Sequence, residues 1–397
     1  MERRRRSLLR DELAARARRQ RWDQLLAQYG TPLLVLDPDQ VRAQYRLLTE
    51  QLPGVEVHYA VKAAPHPAVL TAVADCGGGF DVATRAEVDL VRSLGIRMAH
   101  CIHTHPIKKV ADIWHAHHAG IRTFVVDNAA EAQKFTGLPA DTEILVRLGF
   151  ANPTAKSDLS TKFGVDPADA ELVVKHVLTA GVRFRGFSFH VGSQGSSAAP
   201  FGAAIRATRE LAESVQRSLG VTVGTIDIGG GFPVTYREPM PSLGDVAAVI
   251  TDALGPAHEL TVLAEPGRFL VAGSMTLLTS VVGMGMRGGQ MWHHLDDGLY
   301  GSYSNVLTED VHPPILALRE LQSGGVGAYA PVTLAGPTCD SIDVIARDYP
   351  MPALSVGDIV VSPMMGAYTS VTSSRFNGIA ETPIVVCPAR DHTELKA

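Results

Sequence analysis

Val55-Glu56-Val57-His58-Tyr59-Ala60-Val61 runs into Lys62 and then into the loop Ala63-Ala64-Pro65-His66-Pro67. Its apolar residues mostly alternate, which predicts a strand with one buried face. Lys62 then stands at the C-terminal end of that strand. An amine in such a place can be partly desolvated, which makes it a usable nucleophile toward carbonyls. A single strand-end lysine is ordinarily just solvated. The recurrence of the same pattern along the chain sets this one apart.

Working outward, short apolar runs alternate with longer amphipathic stretches from Leu33 to about Val271. The strand candidates are Val57–Val61, Gly79–Val82, Met98–Ile102, Thr123–Val126, Glu143–Leu148, Phe184–Val191, Thr225–Ile228 and Thr261–Glu265. Helical candidates between them include Ala68–Asp75, Arg85–Leu94, Lys108–Ala119, Ala129–Thr136, Asp166–Ala180 and Phe201–Ser218. Eight strands separated by helices predict an α/β fold with a parallel sheet closed into a (β/α)8 barrel. An open doubly wound sheet is the rival. The late Gly229-Gly230-Gly231, which lacks G-x-G-x-x-G spacing, argues against it. After Ala272 the texture changes to strand-like runs separated by Gly, Pro and Asp turns: Leu277–Val282, Gln290–Leu295, Val332–Ala335, Ile359–Val361 and Ile384–Val386. These predict a β-rich domain over 272–397, a barrel over 33–271 and an N-terminal segment over 1–32. In that segment Leu8, Leu9, Leu13, Leu25 and Leu26 recur with helical spacing up to the break at Gly30-Thr31-Pro32.

The bulk numbers exclude several classes. At 397 residues, 46% hydrophobic and 19% charged, the chain has an ordinary globular composition. A net charge of -5 argues against a general nucleic-acid or membrane-surface binder. The basic N-terminus, Arg3-Arg4-Arg5-Arg6 with Arg16, Arg18, Arg19 and Arg21, reads as a polybasic tail or a solvated helix face rather than a nucleic-acid site. No apolar run reaches the roughly 18 residues that span a bilayer, and no secretion signal is evident. The cysteines Cys76, Cys101, Cys339 and Cys387 lack metal-like spacing, so no metal site is expected and a reduced, cytoplasmic setting fits.

The chemistry-bearing residues share one place in the pattern. His190, in Phe187-Ser188-Phe189-His190-Val191-Gly192-Ser193, offers a flat imidazole that can stack on a ring. Gly229-Gly230-Gly231 follows a strand, and glycines let backbone N–H groups approach a phosphate closely. Glu265, in Ala264-Glu265-Pro266-Gly267-Arg268, can hold a proton on a ring nitrogen, while Gly267 and Arg268 can add phosphate contacts. Asp81 and Arg147 are charges on otherwise apolar strands and need partners, either in a site or in a structural ion pair. Lys62, Asp81, Arg147, His190, the glycines and Glu265 all fall at or near proposed strand C-termini, which a parallel barrel gathers on one rim. A lysine, phosphate-binding glycines, a stacking ring and an acid for a pyridine nitrogen together describe a pyridoxal phosphate site.

The sequence here resembles the barrel-type (fold type III) pyridoxal phosphate decarboxylases of basic amino acids, the ornithine and diaminopimelate decarboxylase family. The resemblance rests on Tyr59-Ala60-Val61-Lys62, Phe80-Asp81-Val82-Ala83, Leu159-Ser160-Thr161-Lys162-Phe163-Gly164, Ser188–Ser193, Gly229–Pro233, Glu265–Arg268, Gly336-Pro337-Thr338-Cys339-Asp340 and Gly366-Ala367-Tyr368. It implies an alanine racemase-like fold, a barrel plus a C-terminal β domain on which the N-terminal segment packs, and a homodimer with shared active sites. It implies that Lys62 forms the Schiff base with pyridoxal 5′-phosphate, that His190 stacks on the pyridine and that Glu265 pairs with its nitrogen. Ser193, Gly230, Gly231, Gly267, Arg268 and Tyr368 would bind the phosphate region, with Asp81 and Arg147 supporting lysine and cofactor. Cys339 from the neighbouring subunit would protonate Cα, and Lys162 would pair with Asp343 across the interface.

The motifs Thr338–Asp343 and Gly366–Gly378 look more like ornithine than diaminopimelate decarboxylases, with Asp340 binding the distal amine. Ornithine to putrescine, in polyamine biosynthesis, is then the expected reaction. Lysine or diaminopimelate decarboxylation, a siderophore or secondary-metabolite role, a racemase and a non-catalytic homologue are the alternatives. One departure stands out: after Gly298-Leu299-Tyr300-Gly301-Ser302, the usual Tyr-Asp pair is replaced by Thr308-Glu309-Asp310. Either Glu309 takes the aspartate's place with one more methylene, or a loop shift gives the role to Asp310.

Overall fold

The computed structural model describes residues 2–255, 260–322 and 327–387. The chain divides into two compact units, Val41–Val271 and a second made of Met1–Gln40 with Ala272–Ala397.

The first strand, β1 (Leu33–Leu36), departs from the sequence reading, which began the barrel at residue 33. It lies in the β unit, antiparallel to Met275–Leu278 and parallel to Ile384–Val386. The physical reason is burial. All four residues are apolar and buried, so the strand needs neighbours on both edges and cover on both faces, and the β sheet supplies them.

The barrel is built from β2 (Val55–Ala60), β3 (Gly79–Val82), β4 (Cys101–His103), β5 (Thr123–Val126) and β6 (Glu143–Leu148). A short excursion, β7 (Ala155–Ser157), precedes β8 (Arg183–Phe189) and pairs with β9 (Ser193–Gly195). The strands β10 (Thr225–Asp227) and β11 (Thr261–Ala264) complete it. The eight parallel strands β10-β11-β2-β3-β4-β5-β6-β8 close on themselves, as the sequence pattern predicts. The helices between them begin where side chains can cap them. Thr84 Oγ1 accepts from Glu87 N at 3.2 Å, and Ser242 with Asp245 forms a capping box on Leu243–Leu254. That last helix and Pro38–Gln51 are absent from the sequence-based assignment.

Strand alternation sorts the inward side chains into layers. At the strands' N-terminal ends the Arg185 guanidinium bonds Thr123 Oγ1 (2.7 Å) and Thr225 Oγ1 (3.0 Å) and pairs with Glu143 at 3.2 Å. In the middle, Ile102, Val125, Leu145 and Leu263 form a closed apolar cluster. Toward the C-terminal ends the inward positions become charged: Asp81, Arg147 and Asp227. The apolar layer is therefore the dry floor beneath the rim.

In the second unit, β12 (Met275–Arg287), β13 (Gln290–Leu295), β14 (Leu316–Ala317), β15 (Tyr329–Ala335), β16 (Val344–Pro352), β17 (Ile359–Pro363) and β18 (Ile384–Val386) join β1 in one sheet ordered β14-β17-β12-β13-β15-β16. Helices Glu2–Arg19 and Trp22–Tyr29 pack on it through Leu13 and Trp22, which cluster with Leu33, Leu278, Leu316, Leu321 and Val361. The basic run is partly consumed here. Arg6 forks onto buried Glu320 at 2.9 Å and stacks over Tyr329, and Arg19 reaches Asp37 at 3.5 Å.

Trp22 is 1% exposed, and its indole donates to Gln20 Oε1 at 2.8 Å. Trp22→Ala is expected to lower the unfolding free energy by about 3–5 kcal/mol through the cavity it leaves. A urea melt followed by circular dichroism checks this as a drop in midpoint with the slope retained.

Candidate active site

Lys62 lies two residues past β2, inside the single helical turn Val61–Ala63. Ala60 N donates to Pro266 O (3.2 Å) and Tyr59 Oη to Ala64 O (3.1 Å), so the turn is held from both sides. Its ammonium meets Asp81 Oδ2 at 2.8 Å, where the Asp81 side chain is wholly buried and that of Lys62 is 44% exposed. Thr104 Oγ1 donates to the other oxygen of Asp81. The register explains the meeting, because Ala60 on β2 faces Asp81 on β3.

On the next strand round, Glu265 follows β11 directly, and its N–H donates to Gly229 O at 2.8 Å. Its carboxyl is buried. Burial, Asp227 and Asp81 together push it well above the usual carboxyl range, which favours its protonated form. Asp227 closes β10 and accepts from Gly229 N at 2.9 Å. Burial raises it too, and its carboxyl lies against that of Glu265.

His190 follows β8, and its Nδ1 accepts from Gly192 N at 3.0 Å. Burial first, then Arg147 and Lys62, hold the ring far below the usual histidine range. It is neutral, with its proton placed on Nε2 by that hydrogen bond. Arg147 on β6 stacks its guanidinium over Phe163 at 5.5 Å, and Lys162 is exposed with its amine 5.0 Å from the same ring.

The three glycines let neighbouring backbone come close. A Cβ on Gly230 would lie 2.6 Å from Glu265 O and 3.1 Å from His190 Nε2, and one on Gly231 would strike Gly192 O. Ser193 starts β9 beside them, opposite Ser157. Gly267 precedes and Arg268 begins the short helix after β11, and Arg268 Nη1 donates to Tyr236 Oη at 2.9 Å. The barrel rim therefore gathers Lys62, Asp81, Arg147, His190, Gly229–Gly231 and Glu265.

A second group sits in the β unit. Asp340 accepts from Tyr300 Oη at 2.5 Å and from Ile342 N at 3.1 Å. The Tyr300 hydrogen bond lowers its pKa and keeps it ionised. Tyr300 stacks on Phe376 with ring centroids 4.6 Å apart. Cys339 is exposed, and its N–H donates to Asn377 Oδ1 at 2.9 Å. Tyr368 stands in a left-handed conformation with φ of 53°.

Glu309 ends the helix Ser304–Glu309 half-buried, whereas Asp310 is exposed and pairs with His312 at 2.9 Å. Asp343 departs from the expected pairing across a dimer. It is 2% exposed and accepts from Leu299 N (2.7 Å), Thr338 N (3.1 Å) and Thr338 Oγ1 (2.7 Å), so it organises its own loop.

Two residues that the structure brings to these groups lie outside the sequence reading. Asp227 is one, although an acid in Thr225-Ile226-Asp227-Ile228 carries the same signal as Asp81. Tyr300 gave no signal beyond its motif, because its link to Asp340 spans 40 residues.

A rim of this kind belongs to barrel enzymes that hold an aldehyde-bearing cofactor through a lysine. Residues 38–272 match the family model of the pyridoxal-dependent decarboxylases, pyridoxal binding domain. Over 362 residues the chain is 35% identical to the lysine/ornithine decarboxylase of Selenomonas ruminantium, covering 90% of this chain and 89% of that one. Among solved structures it resembles the lysine/ornithine decarboxylase of Vibrio vulnificus complexed with putrescine. That likeness has 41% identity and a TM-score of 0.85, over 92% of this chain and 96% of that one. It also resembles the Paramecium bursaria Chlorella virus arginine decarboxylase bound to agmatine, with 28% identity and a TM-score of 0.85, over 92% and 98% of the two chains.

The chain belongs to the fold type III pyridoxal-dependent decarboxylases of basic amino acids. It is an amino acid decarboxylase with pyridoxal 5′-phosphate as cofactor. The rim fits that cofactor. It has a lysine amine, a buried acid able to face a ring nitrogen, and glycines at 230 and 231 where a side chain would strike the neighbouring backbone.

Gly230→Ala is expected to displace Glu265 or His190, at about 1–3 kcal/mol of overpacking. Cofactor affinity, measured by equilibrium dialysis, falls about ten- to hundredfold.

Proposed function

We propose that the substrate is a basic L-amino acid with a distal amine, L-ornithine before L-lysine, and that the product is the diamine. Asp340 carries this reading: a carboxylate kept ionised by Tyr300 on a fixed loop is a ready partner for an ammonium. Glu309, one methylene longer than aspartate, reaches further into the space for the distal amine and favours the shorter ornithine. The named substrates of the Selenomonas and Vibrio relatives agree with this pair.

In this reading Lys62 would hold the cofactor through its aldehyde, with Asp81 orienting the ammonium beforehand. His190, neutral, would lie against the ring. Glu265 would pair with the ring nitrogen, with Arg147 balancing the acids around it. Ser193, Gly230, Gly231, Gly267, Arg268 and Tyr368 hold the phosphate. When bound, the cofactor supplies the electron sink for the pair left behind as carbon dioxide departs. Cys339 delivers a proton to Cα as general acid, offered by the second copy in a homodimer with shared sites. Four free thiols suit a reducing, cytoplasmic setting, and no described helix is long and apolar enough to cross a membrane.

Carbon dioxide release from ornithine, lysine, arginine, 2,4-diaminobutyrate and meso-diaminopimelate tests the substrate. Ornithine should show the highest kcat/KM, and a clear preference for diaminopimelate would reject the Asp340 assignment. Lys62→Ala should abolish turnover and the visible absorbance of the lysine-bound cofactor. Cys339→Ala should keep the cofactor bound but slow turnover or misdirect the product. Unchanged rate and product in that variant would remove the proton-donor role.

A further inference from the structure

The reaction as described leaves one wholly buried acid without a task. Asp227 is 0% exposed and lies in register with Ser188 on β8 and Leu263 on β11. Its Oδ1 takes the Gly229 N–H. Its Oδ2 is buried and takes no hydrogen bond from a fixed donor among the described residues. What it meets is the carboxyl of Glu265, itself 8% exposed.

The charged neighbours of this pair come from three directions: Asp81 on β3, Lys62 after β2 and Arg147 on β6. Two carboxyls in contact above an apolar floor cannot both ionise unless a cation joins them. A cap on the Gly229 turn would be served equally well by asparagine, whose Oδ1 accepts the same N–H. The charge of Asp227 is therefore surplus to the turn.

We infer that Asp227 is a positioning residue for the decarboxylation. It stays ionised beside Glu265, so that the two carboxyls and the cofactor's ring nitrogen hold a single proton among them, and the second negative charge drives that proton onto the nitrogen. No proton enters or leaves the site in this arrangement. The inference rests on the proposed facing of Glu265 to the ring nitrogen, and it adds that one acid is not enough.

The test compares holoenzymes of the wild type, Asp227→Asn, Asp227→Ser and Glu265→Gln by pH titration of the bound cofactor's absorbance, with the alkaline limb of kcat followed in parallel. With either Asp227 variant, the pH at which the ring nitrogen loses its proton is expected to fall by about one unit or more. KM should change little.

A second measurement does not need the loaded enzyme. Glu265 is raised well above 4.5 in the folded chain. The folded chain thus keeps a proton that the unfolded chain releases, and stability falls as pH rises from about 4.5. In the cofactor-free protein, Asp227→Asn should make that fall in thermal midpoint shallower, because one of the charges that raise Glu265 is removed.

If Glu265→Gln leaves the cofactor spectrum and its titration unmoved, the proposed facing of Glu265 is wrong. If Glu265→Gln moves the titration but neither Asp227 variant does, Asp227 only caps its turn and the inference is overturned. If the variants bind no cofactor, an unaltered midpoint–pH slope overturns it as well.

Discussion

A lysine ammonium 2.8 Å from a wholly buried aspartate is the contact on which the rim depends. The Asp81 charge lies in a medium that penalises it, so it must be met by donors of fixed position. Thr104 supplies one and Lys62 the other. Because β2 and β3 are neighbours with Ala60 opposite Asp81, the strand register itself delivers the amine. Lys62 keeps nearly half of its side chain open while its charged end is held, which suits an amine that must exchange partners.

The remaining electrostatics follow from the floor beneath. Ile102, Val125, Leu145 and Leu263 exclude water from the barrel's middle, so charges above them interact strongly and are poorly hydrated. The same dryness raises Glu265, neutralises His190 and leaves Asp227 pressed against its neighbour. Arg147 and Lys62 oppose three acids there. The glycines keep space beside these groups free of side chains, and their cost in backbone freedom is the condition for that space.

In the β unit the chemistry is of another kind. Asp340 is ionised because a tyrosine donates to it, not because it is buried, and Cys339 is exposed. Both stand on the loop that Asp343 ties together from within. The N-terminal arginines, conspicuous as a run, are partly spent on holding their helix to the sheet through Glu320 and Asp37.

Read alone, the chain already determined the barrel and the positions of Lys62, Asp81, Arg147, His190, the glycines and Glu265. Each of those signals is local: an apolar run with period two, then a polar residue or glycine at its end. Parallel closure does the rest. The sequence could not assign β1, because four apolar residues fit a barrel strand or a sheet strand equally well. Only its pairing with Met275–Leu278 and Ile384–Val386 decided the matter. Nor could it show that Asp227 touches Glu265, that Tyr300 reaches Asp340 or that Asp343 faces its own loop. Those contacts join residues tens of positions apart, and their protonation states depend on how much water the assembled walls exclude. Periodicity reports which face of an element is buried, while proximity across elements and local dielectric exist only once the chain has closed.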